Sequence, residues 1–367
     1  MNTLIRHDRL DTILQRAEHN NALTYEEIRF LLSISEASAR KQLFAAARRI
    51  RERHFGNRVF LYGFLYFNTA CCNDCLFCNY RKSNTSVARY RKSSAEITDV
   101  IEELKGSGVH LVDLTMGEIA EDRVGAQMEY SRLISAVRLA QQKGDVPVMV
   151  SPGVVPPPIM EQLAEAGATW YACYQETYNR SLFSRIRVSQ DYDTRMAAKK
   201  RARKRGMLIE EGMLIGIGES LDDRAENIAA MRRLGADQIR VMTLVPQPGT
   251  PMAHLTPLDD MQERIAIAVM RLAMPDRLIP ASLDVGGLAG LRNRLDAGAN
   301  VVSSLVIPGR GLAGVANHAL DIEQARRTPT AIEPILSNCR LESASLKEYR
   351  SWIAYRKNTY SATRKVA

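Results

Sequence analysis

The chain has 367 residues, of which 46% are hydrophobic and 25% charged, with a formal net charge of +9 at pH 7. Those values are ordinary for a folded protein and allow one large barrel-type domain or two smaller ones. The N-terminal stretch MNTLIRHDRLDTILQRAEHNN has no apolar signal region and no run of about 18 apolar residues occurs anywhere, so the reading is a soluble, cytoplasmic monomer with no membrane partner.

Residues 1–55 are expected to be helical: Thr24 and Glu27 form a capping-box pair ahead of an apolar stripe. After Gly56 short apolar runs alternate with helical patterns. The expected strands are 58–67, 109–115, 146–151, 169–174, 208–215, 238–245, 278–284 and 300–306. Eight strands alternating with helices in roughly 250 residues is the arithmetic of a (β/α)8 barrel of the TIM type, with an open doubly wound sheet as the runner-up. The division expected is an N-terminal helical extension over 1–55, a barrel over 56–335 and a helical, basic tail over 336–367.

Basic residues concentrate in ARRIRER (47–53), RKSNTSVARYRK (81–92), KKRARKR (199–205) and the C-terminal tail. They read as solvated helix faces. No aromatic platform accompanies them, which argues against nucleic acid, and the alternative is an acidic protein such as a small electron-transfer partner.

Four of the six cysteines fall in CCNDCLFC, residues 71–78. Clustering at such spacing in a reducing compartment points to metal or catalysis rather than to disulfides. Cys71, Cys75 and Cys78 are spaced C-x3-C-x2-C, with no second pair and no nearby histidine to complete a zinc set. Three thiolates suit a 4Fe–4S cluster with one iron left open for chemistry. Cys72 reads as a bystander, and Cys173 and Cys339 as small buried hydrophobes. A structural zinc loop and a ferredoxin-like site are the competing readings of the trio. His54, His110, His254 and His318 lack metal spacing and read as structural.

Strand parity adds an independent expectation, because alternate residues of a barrel strand face the interior. Placing Ile239, Val241 and Val245 against the helices turns Arg240 inward. Placing Ile279, Ala281 and Leu283 outward leaves Pro280, Ser282 and Asp284 inside, and Val112 with Leu114 outside leaves Asp113 and Thr115 inside. Buried charges need partners. One cation and two anions would balance a ligand with one carboxylate and two ammonium groups, that is, a diamino acid.

The cysteine trio, with Phe77 before its third member, resembles the radical S-adenosylmethionine superfamily. TMGE (115–118), YQETYN (174–179), the arginine of DYDTR and GMLIGIGE (212–219) follow in the order seen in the branch of biotin synthase and the hydrogenase maturases. Within it the chain is most similar to the methylornithine synthase family, through HFGNRVFL (54–61), VDLTMGE (112–118), SPG (151–153), RVMTLVPQPGTP (240–251), RLIPASLDVGGL (277–288), LDAGANVVSS (295–304) and GVAN (314–317). The resemblance implies a 4Fe–4S cluster on Cys71, Cys75 and Cys78, with S-adenosyl-L-methionine held by Met116, Gly117, Glu118, Ser151, Glu176, Arg195 and Gly216. It assigns Arg240 to a substrate carboxylate and Asp113, Ser282 and Asp284 to the substrate's other polar ends. The activity implied is isomerisation of L-lysine to (3R)-3-methyl-D-ornithine through a 5′-deoxyadenosyl radical, with fragmentation and recombination of the carbon skeleton, the first step of pyrrolysine biosynthesis. An acidic flavodoxin or ferredoxin would donate the electron. Another amino-acid substrate, or a non-catalytic iron–sulfur protein, are the alternatives.

Overall fold

Residues 3–142, 146–312 and 322–364 are described in the computed structural model. β1 (Arg58–Asn68) is flanked by β2 (Leu111–Met116), β3 (Val148–Ser151), β4 (Trp170–Ala172), β5 (Leu208–Ile215) and β6 (Gln238–Thr243) on one side, and by β8 (Val301–Leu305) and β7 (Pro280–Ser282) on the other. All neighbours in this order are parallel. An isolated parallel bridge between Gln238 and Leu278 joins the two edges, so the sheet closes into a barrel and the open doubly wound alternative is excluded. The strands fall on the eight expected segments, with ends displaced by one or two residues.

Helices α4 (Ser94–Gly106), α5 (Ala126–Gln142), α6 (Pro157–Glu165), α7 (Arg180–Ile186), α8 (Tyr192–Lys204), α9 (Leu221–Leu234), α10 (Asp260–Ala273) and α11 (Gly287–Asp296) fill the crossovers. Serines start two of them: Ser93 with Glu96 and Ser220 with Asp223 form reciprocal capping boxes on α4 and α9. The N-terminal extension is α1 (Thr3–Glu18), α2 (Tyr25–Leu32) and α3 (Ala37–Phe55), with the Thr24–Glu27 box at the start of α2. These helices pack on α9 and α10, outside the ring.

Two cores result from strand alternation. Val59, Leu61 and Leu65 of β1 join Val112, Leu114, Ile239, Val241, Ile279, Ala281 and Leu283 in the layer between sheet and helices. Phe60, Tyr62, Leu111, Met149, Trp170, Leu208 and Val301 point the other way and fill the lower half of the barrel interior. Outward and inward sets therefore agree with the parity argument, with one correction. Val245 lines the interior cavity rather than facing helices. Strand β6 ends at Thr243, so the alternation does not extend to Val245.

Residues 336–364 do more than trail behind the barrel. The two-residue strand Glu342–Ser343 pairs in parallel with the start of β1, and the helix Leu346–Arg364 lies across the barrel floor. Tyr349 and Ile353 join the inner core. The Tyr349 hydroxyl bonds that of Tyr62 at 2.8 Å, and Trp352 stacks on Trp170 with centroids 5.8 Å apart. His110 holds the junction: its ring accepts from Leu61 N at 2.8 Å and meets the Ala344 carbonyl at 2.7 Å, a structural role.

The basic runs are not uniformly solvated. Lys199 is fully buried against Glu211, and Arg51 is buried on the carbonyl of Leu295. Cys173 is buried as expected, whereas Cys339 is only partly covered, at the C-terminal cap of the helix Pro329–Asn338. The stretch GVAN and His318 lie outside the described residues.

Candidate active site

Above the inner apolar layer, at the C-terminal ends of the strands, the barrel opens into a cavity of about 340 Å³, a size suited to small-molecule ligands. Cys71, Cys75 and Cys78 line it, and Cys72 does not. The loop is fixed from below. Gly117 N donates to Asn68 O at 2.8 Å and Cys72 N donates to Glu118 O at 2.8 Å, stitching the end of β2 to the cysteine segment. Gly117 is required by this crossing, since a Cβ there would lie 2.1 Å from the carbonyl oxygen of Ala70. The close approach is to the cysteine loop.

No three His, Cys, Asp or Glu side chains among the described residues converge to hold a single metal ion. Zinc needs ligands drawn onto one centre; a cubane spreads its thiolates over separate irons. The three thiols around an open volume therefore fit a cluster. Burial pushes the Cys78 thiol up to about 12 and raises that of Cys71, so iron must displace protons on binding. Gln190 Nε2 donates to Cys75 Sγ at 2.9 Å and Arg187 Nη1 approaches it at 3.6 Å, contacts that would stabilise negative charge on the sulfur.

Beside the thiols stand two buried ion pairs. Glu118 meets Arg195 at 3.0 Å and Glu176 meets Arg187 at 2.8 Å. Glu118 also accepts from Val154 N at 3.0 Å. Glu176 has φ of 66°, a left-handed conformation that costs on the order of 1–3 kcal/mol and persists only where the surroundings enforce it. Its backbone is held by hydrogen bonds to Gly212 and Leu214 of β5. Burial raises the Glu176 carboxyl, with Arg187 and Arg195 opposing. Opposed carboxylate and guanidinium groups at this spacing match an amino-acid zwitterion, which carries one charge for each.

The second polar cluster lies across the cavity. Asp113 accepts from Ser151 Oγ at 2.9 Å and Thr115 Oγ1 at 3.1 Å. Burial, then the nearby Glu210 charge, raise its carboxyl to about 7. Arg240 pairs with Glu210 at 2.7 Å and reaches Ser303 Oγ at 3.2 Å. Burial alone would lower its guanidinium, but Glu210 and Tyr174 outweigh that and the net shift is upward. Asp284 pairs with Arg327 at 2.7 Å and accepts from Ser304 Oγ at 2.6 Å and Ser282 Oγ at 3.4 Å.

Of the residues expected at the site, Asp113, Met116, Gly117, Glu118 and Ser151 line the cavity, as do Glu176, Arg195, Arg240 and Asp284. Ser282 stands behind Asp284. Gly216 is outside the lining, its N–H donated to Glu219 at 3.0 Å. The sequence reading missed Arg187, Glu210, Ser303, Ser304 and Arg327. Ser303 and Ser304 both face inward because β8 carries a bulge: Leu61 pairs with Val302 and Gly63 with Leu305, one residue more on β8. Ser304 has φ of 67°, and the bulge turns it out of alternation toward Asp284. The charge count grows to two cations, Arg240 and Arg327, against three carboxylates, Asp113, Glu210 and Asp284; its balance of one net negative charge is that of the simpler count.

Comparison with known proteins agrees with this geometry. Residues 65–235 match the Radical SAM superfamily. A 3-methylornithine synthase from Methanosarcina barkeri is 38% identical over 87% of this chain and 90% of its own length. One from Methanosarcina acetivorans is 36% identical over 93% and 96%. A crystal structure of methylornithine synthase superposes with a TM-score of 0.86 at 36% identity, covering 93% of this chain and 99% of that one.

Proposed function

Since the chain belongs to the 3-methylornithine synthase family of the Radical SAM superfamily, we propose that it isomerises L-lysine to (3R)-3-methyl-D-ornithine, the first step of pyrrolysine biosynthesis. It is a radical enzyme that uses a 4Fe–4S cluster and S-adenosyl-L-methionine. Cys71, Cys75 and Cys78 would hold the cluster, and the ion pairs of Glu118 with Arg195 and Glu176 with Arg187 would open to receive the methionine end of the cofactor. When bound, those groups would supply radical chemistry at the substrate's carbon skeleton.

The observation that carries the substrate assignment is the second polar cluster. Arg240 offers its guanidinium to the α-carboxylate. Asp113 and the Asp284–Ser282–Ser304 group offer acceptors to the two ammonium ends. Substrate and product are isomers with the same charged groups, so one set of anchors serves both. Gripping both ends keeps the pieces of a broken skeleton within reach of each other. The apolar floor of Tyr62, Leu111 and Trp170 bars water from below. No side chain is needed as general base, which suits a cavity with no histidine among its described lining residues.

For the electron, an acidic flavodoxin or ferredoxin is the partner we favour. The support is a groove of about 260 Å³ walled by Asn68, Ala70, Arg89, Arg91, Arg123, Val124 and Met128, on the chain segment that leads into Cys71. All six cysteines are free thiols, in keeping with a cytoplasmic setting. No helix among the described residues is long and apolar enough to cross a membrane.

Anaerobic incubation with isotopically labelled L-lysine, cofactor and dithionite tests the reading. A product with the mass of lysine and a new retention time is expected, and 5′-deoxyadenosine without such a product would replace lysine by another substrate. Asp284→Ala should cut lysine turnover at least tenfold; unimpaired turnover would remove Asp284 from the ligand set.

A further inference from the structure

Glu210 has no assigned part in the site, yet it is a fully enclosed charge beside it. On β5 it sits opposite Gln238, two residues before Gly212, which is opposite Arg240. The Glu210 side chain is 0% exposed and that of Arg240 9%. Glu210 Oε1 accepts from Arg240 Nε at 2.7 Å. Its other oxygen, Oε2, is equally buried, and the Tyr174 side chain bears on the same carboxylate. A carboxylate at such depth costs free energy that an apolar residue would avoid.

The pairing uses the Nε position of the guanidinium. That leaves Nη1, which already reaches Ser303 Oγ at 3.2 Å, and Nη2 as the edge available for a bidentate grip on a carboxylate. Without the anchor the arginine side chain, with four rotatable bonds, would have to be ordered by the ligand itself.

We propose that Glu210 is a positioning residue for substrate binding, fixing Arg240 through Nε so that its Nη edge meets the carboxylate of the amino-acid substrate. The inference rests on the reading of Arg240 as the carboxylate anchor.

A consequence follows for Asp113. The groups bearing on it are Glu210 of β5, Arg240 of β6, Tyr174 after β4, the Ser151 hydroxyl of β3 and the Thr115 hydroxyl of its own strand; its β1 neighbour Phe64 is uncharged. Burial and the Glu210 charge hold a proton on Asp113 up to about pH 7. An arriving ammonium replaces that proton: the Asp113 acid gives it to solvent and the carboxylate pairs with the ammonium, so charge balances.

The test is calorimetric titration of L-lysine into the anaerobic, cluster-loaded enzyme with S-adenosyl-L-methionine and no reductant, so that nothing turns over. Paired buffers of low and high ionisation enthalpy give the protons released per lysine. Wild type should release close to one proton at pH 6 and almost none at pH 8. Glu210→Gln should bind lysine at least tenfold more weakly at pH 8, where Asp113 is ionised in both proteins and only Arg240 differs. At pH 6 it should release less than half the wild-type proton count. Glu210→Asp, which keeps the charge but shortens its reach, should weaken binding while still releasing the proton. A loss of packing alone would not separate the two readouts in this way. Wild-type affinity and proton count in both variants would overturn the proposal with the substrate reading intact. Failure of the wild-type enzyme to bind lysine at all would overturn that reading and this inference with it.

Discussion

Cys72 shares a pentapeptide with two of the thiols assigned to the cluster, Cys71 and Cys75, and yet faces elsewhere. Its N–H is spent on Glu118 and its Sγ lies 3.7 Å from Asn73 Oδ1, outside the cavity lining. Cys72→Ser should therefore retain full iron and sulfide after reconstitution, whereas serine at 71, 75 or 78 should leave a labile or absent cluster, read by metal analysis and visible absorbance. Asp113 gives a second prediction at this scale. A carboxyl raised in the folded state from 3.8 to about 7 stabilises the fold fully below pH 4 and loses that contribution as pH rises through 7. The shift corresponds to something on the order of 4 kcal/mol. Urea midpoints of the lysine-free protein should show Asp113→Asn gaining on wild type between pH 4 and 7.5; parallel curves would mean that Asp113 ionises normally. Spacing alone made the cysteines legible, and parity exposed Asp113, Arg240 and Asp284. Glu210 is legible by the same rule, because two adjacent glutamates in LIEEGMLI cannot both face the helices. Ser304 was beyond parity, since a bulge breaks the alternation on which parity depends.

Among the elements, the eight strands were readable because each is a short apolar run bounded by turn chemistry. The helical character of the tail was readable as well; the docking of the helix Leu346–Arg364 was not, because its contacts lie with residues far away in the chain. It spreads its apolar side chains among charges: Arg356 pairs with Asp237 and Asp276 at 3.1 and 3.0 Å, and the Tyr360 hydroxyl donates to Gly235 O at 2.5 Å. A sequence pattern shows such a segment as a basic tail. The barrel needs it as a floor, for without it Phe60, Trp170 and Leu208 would open to water. Trp352→Ala removes the partner stacked on Trp170 and should cost about 2–4 kcal/mol of stability. Tyr349→Phe deletes only a hydroxyl, which bonds Tyr62, itself a wall of the cavity, and bears on Trp170, and should cost about 1 kcal/mol. Chemical denaturation would rank them; a Trp352→Ala protein as stable as wild type would show the helix to be dispensable to the floor.

For the molecule as a whole, the net charge of +9 favours encounter with acidic proteins at low salt, and the remaining question is where such a protein would rest. Val124 is 99% exposed and Met128 55%, apolar side chains beside Arg89, Arg91 and Arg123 at the groove that ends on Ala70, the residue before Cys71. Exposed apolar side chains set among basic ones, on a small area, have the character of a transient electron-transfer contact. Arg91 is a poor choice for probing it, because its partner Glu129 also holds Asn68 at 2.8 Å, and Asn68 in turn fixes Ala70. Arg123 and Val124 occupy the exposed tip. With reduced flavodoxin as donor, Arg123→Glu combined with Val124→Asp should slow cluster reduction about tenfold in dilute buffer, followed by stopped-flow absorbance. The gap should narrow as salt rises. Reduction by dithionite, a small anion that needs no docking face, should proceed as in wild type. Equal flavodoxin rates in both proteins would move the docking face elsewhere, and a matching loss with dithionite would mean that the substitutions disturb the cysteine loop itself.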